Sequence, residues 1–288
     1  MRLFVTGASG QLGSEVLKRS QFEIYGIYST TRPKVADVTL IQCDITDRTR
    51  LLDTMIRVKP DWVLHLASAT KVEWCEANKE LAWKINVDGT RNVVDGCRKL
   101  RSKLIFVSTD FVFDGNQGHY RESDKPNPIN HYGRTKLEAE AIVSLHSHHV
   151  IARSCLMYSG KQGTFTSWVL KSLKRGEVSV ASDIVTSPTL ASEQASCLLF
   201  VVEKELQGLY HTAGAEPISK YEFVRRFAEA FGYSPDLAKP VKQEELNLIA
   251  PRPRDSSLDI SKISSAGFGF STVDVALKTL RDELEEQH

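Results

Sequence analysis

TGASGQLG, residues 6–13, follows the short apolar run LFV and precedes a stretch with apolar residues at helical spacing. Its glycines, Gly7, Gly10 and Gly13, recur at every third position. Between a strand and a helix each has its own task. Gly7 makes the tight reversal, Gly10 lets backbone N–H groups approach a diphosphate, and Gly13 lets the helix pack closely on the strand. The anion then sits at a helix N-terminus, where unpaired N–H groups and the macrodipole favour negative charge. A glycine triplet alone is a weak sign. Placed after the first strand of an alternating pattern it predicts a dinucleotide site.

Working outward, the first half alternates strand and helix. Strands are expected over 2–6, 22–28, 39–43, 62–66, 103–108 and 150–153. Helices are expected over 10–19, 47–58, 73–100 and 131–146, the first carrying Leu12, Val16 and Leu17 on one side and the second capped by Asp47. No tight hairpin joins the strands. The pattern therefore predicts an α/β fold, a Rossmann-type doubly wound parallel sheet covered on both faces. Beyond residue 155 the rhythm breaks. Helices near 165–175, 190–204, 220–231 and 272–286 surround short strands such as 178–180 and 209–211. We expect a dinucleotide-binding domain over 1–155 and a smaller, mostly helical substrate lobe over 156–288, the two interleaved.

Composition excludes several classes. The 288 residues are 41% hydrophobic and 25% charged, ordinary values for a globular chain with a full core. Net charge is +1 without a long basic run, so neither nucleic acid nor an anionic membrane is an expected partner. No apolar run reaches the ~18 residues of a membrane span. The N-terminus enters a strand at once, which reads as leaving no room for a signal peptide. Five cysteines, an odd number without C-x-x-C spacing, suggest reduced thiols and a cytoplasmic protein.

The chemistry is expected around HYGRTK, residues 131–136. On a helix Tyr132 and Lys136 share one face, a turn apart. A phenol is a poor acid near neutral pH, with an ordinary pKa of about 10. A nearby ammonium would favour the phenolate and pull that value down toward a working pH. Thr109, after the fifth strand, stands at the carboxyl edge of the sheet, where ligands bind in open α/β folds and where a hydroxyl can donate to a developing oxyanion. The second strand ends in Ser29, Thr30, Thr31 and Arg32 rather than an acid. Hydroxyls and a guanidinium suit a 2′-phosphate, so NADP(H) is favoured, with NAD(H) as the alternative.

The glycine turn, "STD" at 108–110 and Tyr-x-x-x-Lys together resemble the extended short-chain dehydrogenases/reductases. More narrowly, "STDFVFDG", "SPT" and "RPRDSSLD" resemble the dTDP-4-dehydrorhamnose reductase family, along a stretch reaching residue ~260. The resemblance implies an NADPH-dependent reductase of a 4-keto-6-deoxy sugar nucleotide, with Thr109, Tyr132 and Lys136 catalytic and Tyr132 as proton donor. It implies a cofactor site of Gly7, Ser9, Gly10, Gln11, Leu12, Gly13, Arg32, Asp44, Ile45, Leu66, Ala67, Ser68, Asn86 and Ser108, with Tyr132 and Lys136. Within that set Asp44 faces the adenine, Asn86 supports the proton path and Lys136 also holds the nicotinamide ribose. It implies a substrate side of Thr70, Thr109, Phe111, Leu156 and Arg252. Two positions depart from the family: Phe111 stands where tyrosine is usual, and Leu156 where a tryptophan is. Both lie on the sugar side and leave the cofactor half untouched. The same family resembles the regulatory β subunit of methionine adenosyltransferase, which implies a non-catalytic NADP-binding alternative. An epimerase or dehydratase is a further option within the enzyme class, and Phe111 after Thr109–Asp110 argues against the dehydratase. A homodimer is compatible with the family.

Other signals are declined. "HSHH", with His146, His148 and His149, reads as a polar turn and not a metal cluster. His65 reads as a buried, hydrogen-bonded side chain. Cys155 lacks a histidine partner for nucleophilic work. Some family members bind magnesium and Glu15 could join such a site, but no metal is expected from the residues.

Overall fold

The computed structural model of the chain describes residues 1–285. Six strands follow in order: β1 (Arg2–Thr6), β2 (Glu23–Tyr28), β3 (Thr39–Gln42), β4 (Trp62–His65), β5 (Lys103–Thr109) and β6 (His149–Ser154). With a later strand, Gly208–His211, they form one sheet in the order Gly208–His211, β6, β5, β4, β1, β2, β3. Every pairing in it is parallel. The strand order reverses between β1 and β4, so the carboxyl ends of those strands open a crevice.

The period of two along β1 decides which face each side chain joins. Leu3 and Val5 enter one core with Leu12, Val16 and Leu17 of helix α1 (Gln11–Arg19) and Leu198 and Val202 of helix Ala191–Glu203. Phe4, between them, enters the other core. There it meets Leu51 and Met55 of α2 (Arg48–Val58) and Val93, Val94 and Cys97 from the far side of the sheet. Both faces are thus covered, as the unbroken apolar runs of the strands required.

The expected helix over 73–100 is interrupted. It divides into α3 (Val72–Ala77), α4 (Lys79–Trp83), a π-helical turn (Lys84–Asp88) and α5 (Gly89–Leu100). Asn78 causes the first break: its backbone leaves the helical region, and its side-chain amide donates to the Trp74 carbonyl at 2.9 Å. The helix expected over 131–146 is α6 (His131–Ser144), and the histidines after it turn into β6. His146 bonds the Ser102 carbonyl at 2.9 Å within that turn.

The strand expected near 209–211 was assigned to the lobe and instead completes the main sheet. Leu209 and Tyr210 pair with Ile151 and Ala152 on the open edge of β6, where the ladder needed a partner. Helix Ala191–Glu203 likewise returns to cover the sheet through α1. The remaining lobe has its own core, in which Tyr158, Leu173, Phe223, Phe227, Leu277 and Leu280 meet. Its final helix is Val273–Glu285. The expected extension to Glu286 lies outside the described residues.

Candidate functional site

A cavity of about 390 Å³ runs from the glycine turn to the lobe along the carboxyl ends of the sheet. Its glycine end is shaped by backbone. Gly7 has φ of +69°, and a Cβ there would meet the Ala67 nitrogen at 2.7 Å. A side chain at Gly7 is therefore excluded twice, by conformation and by space. Gly10 starts α1 with no side-chain cap, so the first-turn N–H groups have no side-chain acceptor, and Gly10 to Gly13 line the cavity. The Gln11 amide nitrogen is buried without a partner among the described residues, and so is the Ser154 hydroxyl on the cavity's other wall. Unused donors around a backbone cradle fit an anionic dinucleotide.

His65, at the end of β4, ties this end together. The Thr6 hydroxyl accepts the Leu66 and Ala67 N–H groups at 3.0 and 3.1 Å. Its own proton therefore goes to His65 Nδ1, 2.8 Å away. The Thr90 hydroxyl donates to the Asn86 carbonyl at 2.6 Å and so accepts from His65 Nε2 at 3.0 Å. The ring is neutral, and burial holds its pKa down at about 3.

Asn86 stands in the π turn, a geometry often found at functional sites. Its side-chain oxygen accepts from Ser68 at 2.9 Å and from the Ala69 N–H at 2.8 Å. Its nitrogen donates to the Thr135 hydroxyl at 2.9 Å. The loop after β4 is thereby bolted to α6.

Thr109, Tyr132 and Lys136 line one stretch of the cavity. Asn130 caps α6 by accepting the Gly133 N–H at 2.8 Å, which sets Tyr132 in the first turn. The Tyr132 ring meets Phe111 edge-on at 6.1 Å. The Thr109 hydroxyl donates to Asp110 Oδ1 at 3.0 Å and accepts the Phe111 N–H at 3.2 Å. The Lys136 ammonium donates to the Val107 carbonyl at 2.7 Å and lies 4.0 Å over the Phe106 ring.

The electrostatics correct one expectation. Lys136 was expected to pull the Tyr132 phenol down. Burial instead pushes the phenol well above its ordinary value, against the Thr109 hydroxyl and with the Asp110 carboxylate. The Lys136 ammonium is turned to the Val107 carbonyl and not to the phenol. Burial lowers Lys136 itself to about 7, opposed by Glu140 one turn later. Glu140 is held in turn by Arg153 at 2.7 and 2.9 Å and by the Ser108 hydroxyl at 2.5 Å.

Of the residues expected on the cofactor side, Gly7, Gly10, Gln11, Leu12, Gly13, Leu66, Ser68 and Ser108 line the cavity with Tyr132 and Lys136. Ser9, Arg32, Asp44, Ile45, Ala67 and Asn86 do not. Ala67 supports Gly7 from behind, and Asn86 acts through Ser68 and Thr135. Ile45 fills the space over Gly89. Asp44 accepts the Thr46 N–H and hydroxyl at 2.8 Å. Arg32 is exposed beyond β2. The Ser9 carbonyl is bonded by the Lys161 ammonium, which also reaches the Gly10 carbonyl at 3.1 Å and the Ser14 hydroxyl at 2.9 Å. On the substrate side Thr70, Phe111 and Leu156 line the cavity with Thr109. Arg252 stands behind Phe111, its guanidinium 5.9 Å over the ring and 2.5 Å from Glu73.

Sequence reasoning missed Asp110, Ser154, Thr186, Lys220 and Ser256, all of which line the cavity. Asp110 adjoins Thr109 and could have been inferred from that. Ser154 ends β6, while Thr186, Lys220 and Ser256 arrive from the second half, whose short elements carry no periodic signal. Cys155 also lines the cavity. Its sulfur lies 2.6 Å from the Thr186 hydroxyl, and burial pushes its pKa well up, so it is an inert neutral thiol.

The family model described as "RmlD substrate binding domain" matches residues 1–285. The chain is 32% identical to a probable low-salt glycan biosynthesis reductase of Haloferax volcanii, covering 91% of each protein. It is 31% identical to methionine adenosyltransferase 2 subunit beta of Xenopus tropicalis, over 94% of this chain and 84% of that one. Among solved structures it is similar to a dTDP-4-dehydrorhamnose reductase of Bacillus anthracis in complex with NADP. The TM-score is 0.89 at 27% identity, covering 98% of this chain and 99% of the other.

Proposed function

The chain belongs to the RmlD substrate binding domain family, and from that premise we propose that it is an NADPH-dependent reductase of a 4-keto-6-deoxy sugar nucleotide. One observation carries the reading: Thr109, Tyr132 and Lys136 line the same cavity as Gly7, Gly10 and Gly13. In this reading residues 1–155 hold the cofactor and the following lobe holds the substrate. The NADP bound in a Bacillus anthracis relative named dTDP-4-dehydrorhamnose reductase supports the cofactor.

When bound, the cofactor supplies the hydride. The chain's own residues supply the rest. The Tyr132 phenol, kept protonated by burial, gives its proton to the substrate oxygen as negative charge develops there. Thr109 steadies the same oxygen. Its single proton now points at Asp110. Asp110 is buried, and burial raises its pKa. As charge develops, the threonine hydroxyl turns from Asp110 Oδ1 toward the substrate oxygen. Lys136, whose ammonium lies over the Phe106 ring, would hold the ribose hydroxyls of the cofactor. Phe111 and Leu156 give the sugar an apolar wall where a hydroxyl and a larger ring are usual in the family.

The test is turnover. Purified protein should oxidise NADPH with a keto sugar nucleotide of the dTDP-4-keto-6-deoxy class. Tight NADPH binding without turnover of any such compound would sink the proposal. The likeness to a methionine adenosyltransferase subunit favours one rival, a non-catalytic NADP-binding subunit. That rival is supported if a stoichiometric partner co-purifies from the source cell and Tyr132→Phe changes nothing.

A further inference from the structure

Lys220 is the cation the proposed reaction does not use. It opens helix Lys220–Ala230, whose first turn is capped by the Ser219 hydroxyl accepting the Glu222 N–H at 3.1 Å. Its backbone N–H donates to the Ile184 carbonyl at 2.9 Å. The main chain is therefore fixed on both sides, and the side chain lines the cavity that also holds Tyr132. Among the described residues its ammonium has neither a hydrogen-bond acceptor nor a carboxylate at ion-pair distance.

The neighbouring charges do not relieve it. Arg252 is already paired with Glu73. Both oxygens of the Asp110 carboxyl are taken, by Thr109 at 3.0 Å and Ser256 at 2.5 Å. Cys155 is held as the neutral thiol. Burial pulls Lys220 down to about 8, with Arg252 adding to the effect and Asp110 opposing it, so the ammonium is still charged at neutral pH. A half-buried ammonium on a fixed main chain, facing a cavity and short of a partner, suits an oxyanion.

We propose that Lys220 forms an oxyanion subsite at the substrate end of the cavity and binds the diphosphate of the substrate nucleotide. The inference rests on the sugar nucleotide reading above. It adds a residue that selects substrates carrying a diphosphate over free keto sugars. Lys220 positions the substrate; the proton and the hydride travel elsewhere.

The test uses protein saturated with NADP, so that the glycine end is filled, and inorganic pyrophosphate as the probe, followed by calorimetry. Wild type should bind pyrophosphate, Lys220→Met should bind it at least tenfold more weakly, and Lys220→Arg should stay within threefold. NADP affinity should be the same in all three, which also reports that the variants fold. In turnover, Lys220→Met should raise KM for the keto sugar nucleotide at least tenfold with kcat within threefold. Equal pyrophosphate affinity in wild type and Lys220→Met, or no binding by wild type, overturns the subsite. Lysine-dependent pyrophosphate binding without turnover leaves the subsite standing and removes the reductase reading. Turnover with an unchanged KM in Lys220→Met does the reverse.

Discussion

The two ends of the cavity are made of different material. The glycine end is backbone: Gly7 against Ala67, an uncapped helix start at Gly10, and a neutral His65 binding the turn from behind. The other end is side chains with shifted ionisation: Tyr132 and Asp110 raised, Lys136 and Lys220 lowered. A backbone cradle holds an anion the same way at any pH near neutral. A cluster of buried ionisable groups does not. The comparison teaches that binding and chemistry are separable here, and that pH and substitution should act on one without the other.

The hardest blow to one end alone is Tyr132→Phe. It removes the phenolic proton and keeps the ring against Phe111. Loss of a general acid costs roughly 10²–10⁴ in rate, or about 3–5 kcal/mol of barrier. We expect kcat to fall by that much with NADPH affinity unchanged in a fluorescence titration. A variant retaining more than a tenth of kcat would mean that another group delivers the proton.

Next in size is the pH dependence of stability. Lys136 and Lys220 have folded values of about 7 and 8, below their ordinary 10.5. Above those values the unfolded chain binds more protons than the folded one, so stability rises with pH, by up to about 1.4 kcal/mol per unit for each group. Burial raises all five cysteines above their ordinary 9. There the folded chain keeps protons the unfolded one loses, so stability falls again above pH 9. Urea midpoints should therefore climb from pH 7 to about 8.5 and then decline. Lys220→Met should flatten the climb, while a substitution at the glycine end should shift the whole curve without changing its shape. A wild-type curve level between pH 7 and 8.5 would contradict the assigned shifts.

Gly7→Ala strikes the other end. Alanine at φ of +69° costs about 1–3 kcal/mol of strain, before the contact with the Ala67 nitrogen is relieved. Expected outcomes are a lowered urea midpoint and weakened NADPH binding. The pH profile of any remaining turnover should keep its wild-type shape. A displaced profile would show that the two ends are coupled.

The same contrast explains what was legible in the sequence. Strand–turn–helix alternation and glycine spacing are local, and they located six of the seven strands of the sheet and the glycine end. Tyr132 and Lys136 were legible because one helix turn brings them together. Lys220, Thr186 and Ser256 reach the cavity only because a second-half strand returns to β6 and the lobe folds back, and nothing local encodes that return. The interrupted helix after residue 72 is a milder case. Asn78 and the π turn break a pattern whose apolar spacing alone suggests continuity. The environment of Lys136 was illegible for a related reason. The Val107 carbonyl that accepts its hydrogen bond belongs to β5, 29 residues earlier in the chain.

The smallest expected effect concerns Arg32, which sharpens the comparison by testing whether the glycine end reads its nucleotide through side chains at all. Arg32 is exposed, beyond the end of β2 and outside the cavity lining. If it meets a 2′-phosphate, the pair is solvent-exposed and screened, worth about 1 kcal/mol or less. Arg32→Ala should then weaken NADPH binding no more than about fivefold at low salt, by less as salt is added, and leave NADH binding alone. Equal losses for both cofactors would put the guanidinium's role in the loop and not on the phosphate. No loss for either would leave the hydroxyls of Ser29, Thr30 and Thr31 as the groups that face the 2′-position. Any preference for NADPH would then be written in neutral donors, as the rest of that end is.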